Sequence, residues 1–185
     1  MGFKLKLNLG KSVAYLMGEF LDDYFKSKGC GYWSVQEKAY GSLDFRYRTV
    51  VIIGADCGTT AIYALLRGAS YLIMYESDPK LRQQLWDVLD DFNIPHSKFE
   101  INGEWTGNEY PPGDVWIQDC EGCEERLNFN YIKRYDQVCI AVHTWSDLSK
   151  TLPNLVGYRV TYVTPDSKEI VLCRKKRFPL LKFRY

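Results

Sequence analysis

The sequence predicts an α/β fold: a mostly parallel sheet of seven strands, helices on both faces, closed by a C-terminal antiparallel hairpin. Three observations predict it. The run Thr49–Ile53, TVVII, is β-branched and apolar without alternation, as expected for a strand buried on both faces. It enters a glycine-bearing bend, Gly54-Ala55-Asp56-Cys57-Gly58, then a helical stretch, then a second apolar run ending in Glu76. That order is a βαβ unit, whose crossover is right-handed. Near the other end, residues 158–163 and 169–174 are two β-rich runs joined by Thr164-Pro165-Asp166-Ser167-Lys168, which is turn chemistry and marks a hairpin.

The elements follow in order. Residues 3–9 alternate apolar and polar and fit a strand or an extended arm. Ser12 can cap a helix over 13–28, with Val13, Leu16, Met17, Phe20, Leu21 and Tyr24 on one face and Gly29 as its stop. Residues 30–48 show no clear period and are expected to form loops and short strands. The first crossover helix spans 58–67, closed by Gly68, and strand two spans 71–76. Asp78 as cap and Pro79 at the first helical position open a helix to residue 92, with Leu81, Leu85, Val88, Leu89 and Phe92 as its apolar face. A third strand is expected at 98–102, and the Gly- and Pro-bearing stretch 103–113 leaves no room for a full crossover helix. Strand four is DVWIQDC, 114–120, followed by a helix to about Arg134; strand five is QVCIAVH, 137–143; residues 144–150 fit one short helix.

Length and composition set the outer bounds. A chain of 185 residues fits a single domain, with 1–48 as an N-terminal extension and 49–185 as a cofactor-binding core. Hydrophobic content of 46% and charged content of 25% are those of a globular protein. The net charge of +1 exerts no global pull on nucleic acid or membrane. The segment 174–185 is locally basic, with Arg174, Lys175, Lys176, Arg177, Lys182 and Arg184 and no acid. No apolar run reaches the ~20 residues of a membrane span, and the opening MGFKLKLNLGKS lacks a signal-peptide core, so a cytoplasmic location is expected. Six cysteines are expected to be reduced and mostly buried. Cys120 and Cys123 form a lone CxxC, too little for a zinc site, and no metal is expected.

Charge decides what the bend after strand one can hold. A dinucleotide fingerprint needs glycines at 54, 56 and 59, where this chain has Gly54, Asp56 and Thr59. Asp56 would set a carboxylate against a pyrophosphate. A P-loop is excluded, since no Gly-Lys-Ser/Thr follows. S-adenosylmethionine fits: it has no phosphate, and it carries a sulfonium, an ammonium and one carboxylate. Gly54 and Ala55 shape the bend, Asp56 faces the ammonium, and N–H groups near Gly58 and Thr59 hold the carboxylate. Glu76 follows Gly54 at nearly the ~20-residue separation expected of a ribose-binding acid. Asn102 ends strand three beside it. Asp119 and His143 end strands four and five, where open α/β sheets place their sites. They are the expected catalytic pair, with His143 as a base for a hydroxyl acceptor and Asp119 also touching the cofactor. Glu121 is expected to bind the acceptor with His143, while Glu124 reads as a helix N-terminal charge.

These same residues resemble a known family. VVIIGADCGTTAIYALLRGASYLIMYESDPKLRQQL is similar to the first half of the FkbM-type methyltransferases, where Gly-Ala-Asn-x-Gly-Asp-Thr-Ala follows strand one. DVWIQDCEGCE is similar to that family's Lys-Ile-Asp-x-Glu-Gly-x-Glu segment, matching at Asp119, Glu121, Gly122 and Glu124, and YDQVCIAVH matches its strand-five His at His143. The resemblance covers about 49–145 and departs from the family at Ile52 and Ala141, where acids are usual, and at Ile117, where a Lys is usual. It implies a Rossmann-like class I methyltransferase fold, S-adenosylmethionine as cofactor, and methylation of a hydroxyl, often on a sugar. Two further functions remain open: a nucleic-acid methyltransferase or binding protein using the basic tail, and a catalytically degenerate methyltransferase-like binding module.

Overall fold

The structure is a computed structural model and describes residues 11–147, 149 and 151–176. The expected arm at 3–9, the tail beyond Lys176 and the side chains of residues 11–17 lie outside that description. Helices α1 (Lys11–Ser27) and α2 (Trp33–Tyr40) precede the sheet. Then come β1 (Thr49–Ile53), α3 (Thr59–Leu66), β2 (Tyr71–Tyr75), α4 (Pro79–Asp91), β3 (Phe99–Asn102), β4 (Val115–Gln118), α5 (Phe129–Ile132), β5 (Gln137–His143), β6 (Arg159–Val163) and β7 (Glu169–Lys175). The seven strands run in the order β3-β2-β1-β4-β5-β7-β6. The first five are parallel, and β7 inserts antiparallel between β5 and β6. This is the Rossmann-like methyltransferase architecture.

Direction along the sheet reverses between β1 and β4, and that is where an open parallel sheet leaves a crevice at its carboxyl end. Because β1, β2, β4 and β5 are buried on both faces, alternate residues feed two cores. Val50, Ile52, Leu72, Met74, Ile117 and Ala141 pack under α1–α4, together with Leu21, Phe25, Ala61, Leu85 and Leu89. Val51, Ile53, Trp116, Val138 and Ile140 face the other side. Among the described residues, that face carries short α5, single turns of tighter helix, and a loop whose Trp105 and Tyr110 rings pack on Trp116 at 5.5 Å. Aromatic area there replaces a long crossover helix. The N-terminal extension is stitched to the sheet by Gln137, whose side chain accepts from the Asp44 N–H at 2.8 Å and donates to the Asp44 carbonyl at 2.7 Å.

Several local expectations are corrected. Residues 33–40 form helix α2 rather than loop or strand; it buries only Gln36, Ala39 and Tyr40, too few positions to show a period. Among the described side chains of α1 (residues 18–27), Leu21 and Phe25 are buried, while Phe20 is 53% exposed. No single helix follows β4. Glu121 and Gly122 take positive φ (51° and 108°), which breaks the chain into one tight turn and then α5, capped afresh by Asn128. The described residues of 144–150 are turn and bend, held to the hairpin by Thr144 N–H donating to the Lys168 carbonyl at 2.8 Å. The cysteines are paired, not reduced: Cys30–Cys57, Cys120–Cys123 and Cys139–Cys173. The last pair arises because antiparallel register sets those two residues directly opposite on β5 and β7, which spacing along the chain does not reveal.

Gly54 fixes the crevice. Its φ is +76°, and a Cβ there would overlap the Asp119 carbonyl. Gly54→Ala is expected to destabilise the fold by roughly 2–4 kcal/mol, combining backbone strain with a clash against main chain. Urea denaturation checks this; a loss below 1 kcal/mol would contradict it.

Candidate functional site

A cavity of about 940 Å³ opens at the carboxyl ends of β1, β2 and β4, within the usual range for small-molecule sites. Its floor is the β1 loop. The N–H groups of Gly54 and Ala55 both donate to the Tyr75 carbonyl, at 2.9 and 3.0 Å, which locks the loop to the end of β2. Asp56 sits at φ +48°, and Gly58, at φ +103°, begins α3. Glu76 is buried (6% exposed) and still borders the cavity. One of its carboxylate oxygens accepts from Asp56 N–H at 2.8 Å and the other from Asp78 N–H at 2.9 Å. Each oxygen retains a second lone pair for a ligand hydroxyl. Burial raises the Asp56 carboxyl, partly offset by N–H donors from Cys57 and Gly31, with Glu76 adding to the rise.

Of the residues expected to bind the cofactor, Gly54, Ala55, Asp56, Thr59, Glu76 and Asp119 border this cavity. Gly58 and Asn102 do not. A Cβ at Gly58 would press on Leu85, so that position serves helix packing. The Asn102 carbonyl accepts the Glu76 N–H at 3.2 Å, so it supports the site from behind. Among the described residues, the lining holds seven acids, including Asp56, Glu76, Asp119, Glu121 and Glu169, against one base, Arg126. Arg126 is spent on Glu104 at 2.7 Å. Such a cavity repels phosphates and welcomes cations.

At the β4–β5 side the acids converge on His143, whose side chain is 1% exposed. Glu124, read from the sequence as a helix N-terminal charge, is buried beneath it (1% exposed). One Glu124 oxygen lies 3.1 Å from His143 Nδ1 and accepts from the His143 N–H at 2.9 Å and from Ser146 Oγ at 2.7 Å; the other accepts from Gly122 N–H at 2.9 Å. This orients the ring so that Nε2 points towards the cavity. There it meets Asp119 Oδ1 at 3.7 Å and Glu121 Oε2 at 3.8 Å. Glu169, opposite His143 in the β5–β7 register, closes the group. Tyr40 Oη donates to Asp119 at 3.5 Å. His143 itself does not border the cavity; it stands behind Asp119.

Charge states follow from this packing. For Glu124, burial alone would raise the pKa, but hydrogen bonds from the His143 ring, Ser146 and the His143 N–H outweigh it and hold the group down at about 2. For His143, burial pulls down, while Glu124, Asp119 and Glu121 together raise it above its ordinary 6.5. Asp119 is pushed up to about 7 by enclosure and then by Glu169, against the pull of His143. Enclosure also raises Glu169, with His143 opposing and Glu121 adding.

A depressed carboxylate pKa stabilises the fold above the unfolded value of 4.5, and the gain fades as pH falls towards about 2. The raised His143 contributes below 6.5 and fades above its folded value. Glu124→Gln should therefore cost roughly 3 kcal/mol between pH 4.5 and 6.5, and the difference from the parent should shrink on acidification below pH 4.5. Denaturation across pH reads this; a pH-independent difference would contradict it.

Known proteins share both the sequence and the architecture. No family model matches the chain. Among solved structures, a precorrin-6y C5,15-methyltransferase from Geobacter metallireducens superposes with a TM-score of 0.56 at 16% identity, covering 78% of this chain and 86% of that one. An Aeropyrum pernix fibrillarin with natively bound S-adenosyl-L-methionine superposes at 0.51 and 15% identity, covering 74% and 70%. At such identities the likeness shows the fold. In sequence, the chain is 44% identical over 155 residues to uncharacterized protein 158B of Sulfolobus islandicus rod-shaped virus 1, covering 83% of this chain and 98% of that protein. It is 41% identical over 153 residues to uncharacterized protein 65 of a Sulfolobus islandicus filamentous virus, covering 82% and 96%. With that identity sustained along nearly the whole of both relatives, the chain belongs to the family of these two viral proteins.

Proposed function

We propose that this protein is an S-adenosylmethionine-dependent methyltransferase acting on a small hydroxylated acceptor such as a sugar. The observation that carries this reading is the acidic cavity at the β1/β4 reversal, with the Gly54–Asp56 loop as its floor and Glu76 at its edge. In this reading Glu76 accepts from the ribose hydroxyls, Asp56 faces the ammonium and sulfonium, and Thr59 N–H meets the carboxylate at the start of α3. The acceptor hydroxyl sits against Asp119 and Glu121. Its proton passes to these carboxylates as the C–O bond forms and the C–S bond breaks, releasing S-adenosylhomocysteine. Positioning in a dry site supplies most of the acceleration. His143, being buried, holds Asp119 in place.

The FkbM-type resemblance belongs to the same reading. Its matched residues Asp119, Glu121, Glu124 and His143 converge at one point. Its departures at Ile52 and Ile117 are register partners on β1 and β4, both buried. Two adjacent isoleucines thus stand where the family has an acid and a lysine, an exchange that is often neutral or stabilising. A nucleic-acid acceptor is disfavoured by the acidic mouth. In the tail, Arg174 packs over the Tyr158 ring at 5.6 Å and Lys176 pairs with Asp136 at 3.6 Å, so these two cations are used within the fold.

Calorimetry with S-adenosylhomocysteine tests the reading. The parent should bind one equivalent, and Glu76→Ala should weaken binding by about 1.5–3 kcal/mol while remaining folded by circular dichroism. Transfer of label from S-adenosylmethionine should then appear within a panel of sugars and small alcohols. Unchanged affinity in Glu76→Ala would remove that residue from the site, and binding without any labelled product would favour a degenerate binding module.

A further inference from the structure

We propose that Asp119, His143 and Glu169 form a binding site for one divalent first-row transition-metal ion, with Glu121 at hand as a further ligand. One imidazole nitrogen and two carboxylate oxygens, one from each residue, lie within 4.8 Å of one another. Acidic clusters are common without ions. The observation that points to a ligand here is His143 Nε2: it is buried, has no hydrogen-bond partner among the described residues, and is aimed into the cluster.

The spacing supports an ion over a simple ion pair. A charge-assisted N–H···O bond closes to about 2.7–2.9 Å, yet Nε2 stands off Asp119 Oδ1 by 3.7 Å and Glu121 Oε2 by 3.8 Å. Ligand atoms that share an ion at about 2.0–2.2 Å are held roughly 3–3.5 Å apart, so the 3.7 Å gap from Nε2 to Asp119 closes within a few tenths of an ångström, while the widest separation in the group, up to 4.8 Å, closes by side-chain rotation of roughly 1 Å or more.

The surroundings match as well. Metal-bound imidazoles usually pass their second nitrogen to a carboxylate that fixes the ring. Glu124 does this at Nδ1, and three further donors immobilise Glu124 itself. The remaining acids of the cavity lower the potential at which a cation arrives. One nitrogen with carboxylate oxygens suits Mn²⁺, Fe²⁺ or Zn²⁺ better than Mg²⁺ or Ca²⁺, which prefer oxygen alone.

Asp119, Glu121 and Glu169 border the cavity, so the open coordination positions face the proposed acceptor. An oxygen ligand there becomes more acidic, leaving Glu121 to accept its proton. That use of the ion rests on the methyl-transfer reading; its binding does not.

The test uses the full chain, freed of metal by a chelator and titrated with MnCl₂ while the free Mn²⁺ signal is followed by electron paramagnetic resonance. Cys120 and Cys123, joined to each other, offer no thiolate to compete for the ion. The parent should bind one Mn²⁺ per chain. Glu169→Gln and His143→Gln should each lose at least about tenfold in affinity, since even outer-shell changes cost that much. Glu169→Gln should melt as the parent does and keep its S-adenosylhomocysteine affinity, which separates failure of the metal site from failure of the cofactor reading. No bound Mn²⁺ in the folded parent at millimolar concentration, or equal affinity in parent and Glu169→Gln, overturns the proposal.

Discussion

The site depends on one close approach, the backbone of Gly54 pressed against the carbonyl of Asp119. Parallel pairing brings β1 and β4 side by side, and Asp119 N–H donates to the Ile53 carbonyl at 2.8 Å just past the last register pair. Only a residue without a Cβ can turn away there at positive φ. The turn sends the chain towards β2, where Tyr75 and Glu76 catch three of the loop's N–H groups. The same contact aims Asp119 at the opposite wall. Cavity floor, ribose-side acid and acceptor-side acid are thus positioned by a single backbone constraint, and Cys30–Cys57 ties the loop to the N-terminal extension.

A second constraint runs from β5. Several carboxylates around one imidazole repel one another and are costly to desolvate. The fold offsets part of that cost by giving Glu124 both imidazole and main-chain donors. What remains is a polarised histidine behind a row of partly enclosed acids. That arrangement has no evident value for packing, since the neighbouring strand positions Ile140 and Val142 supply the apolar core. It is consistent with binding something positively charged at the mouth, whether sulfonium, ammonium or metal ion.

Much of this was legible in the sequence because it is local. The apolar run before Gly54, the acid ending β2, the Asp78-Pro79 helix start and the Pro-Asp-Ser hairpin each declare themselves within a few residues. The mostly parallel seven-stranded sheet and its C-terminal antiparallel pair follow the expectation. The gathering of Asp119, Glu121 and His143 was legible from two motifs read together. Glu169 was not, because it reaches His143 only through the β5–β7 register. Tyr40 was missed for a similar reason: it arrives on a short helix whose sequence carries no period. Glu124 was visible but misread as a charge at a helix N-terminus, whereas positive φ at Glu121 and Gly122 folds it inward. The disulfides depend on spatial neighbours that no spacing rule supplies.

The central claim is that the crevice at the β1/β4 reversal holds S-adenosylmethionine. The most direct measurement is a crystal structure of the protein grown with S-adenosylhomocysteine. The account predicts the ribose hydroxyls on the Glu76 carboxylate, the amino-acid end over Gly54–Thr59, and the sulfur facing Asp119. Cofactor bound elsewhere, or crystals from saturating ligand that show none in this crevice, would contradict it.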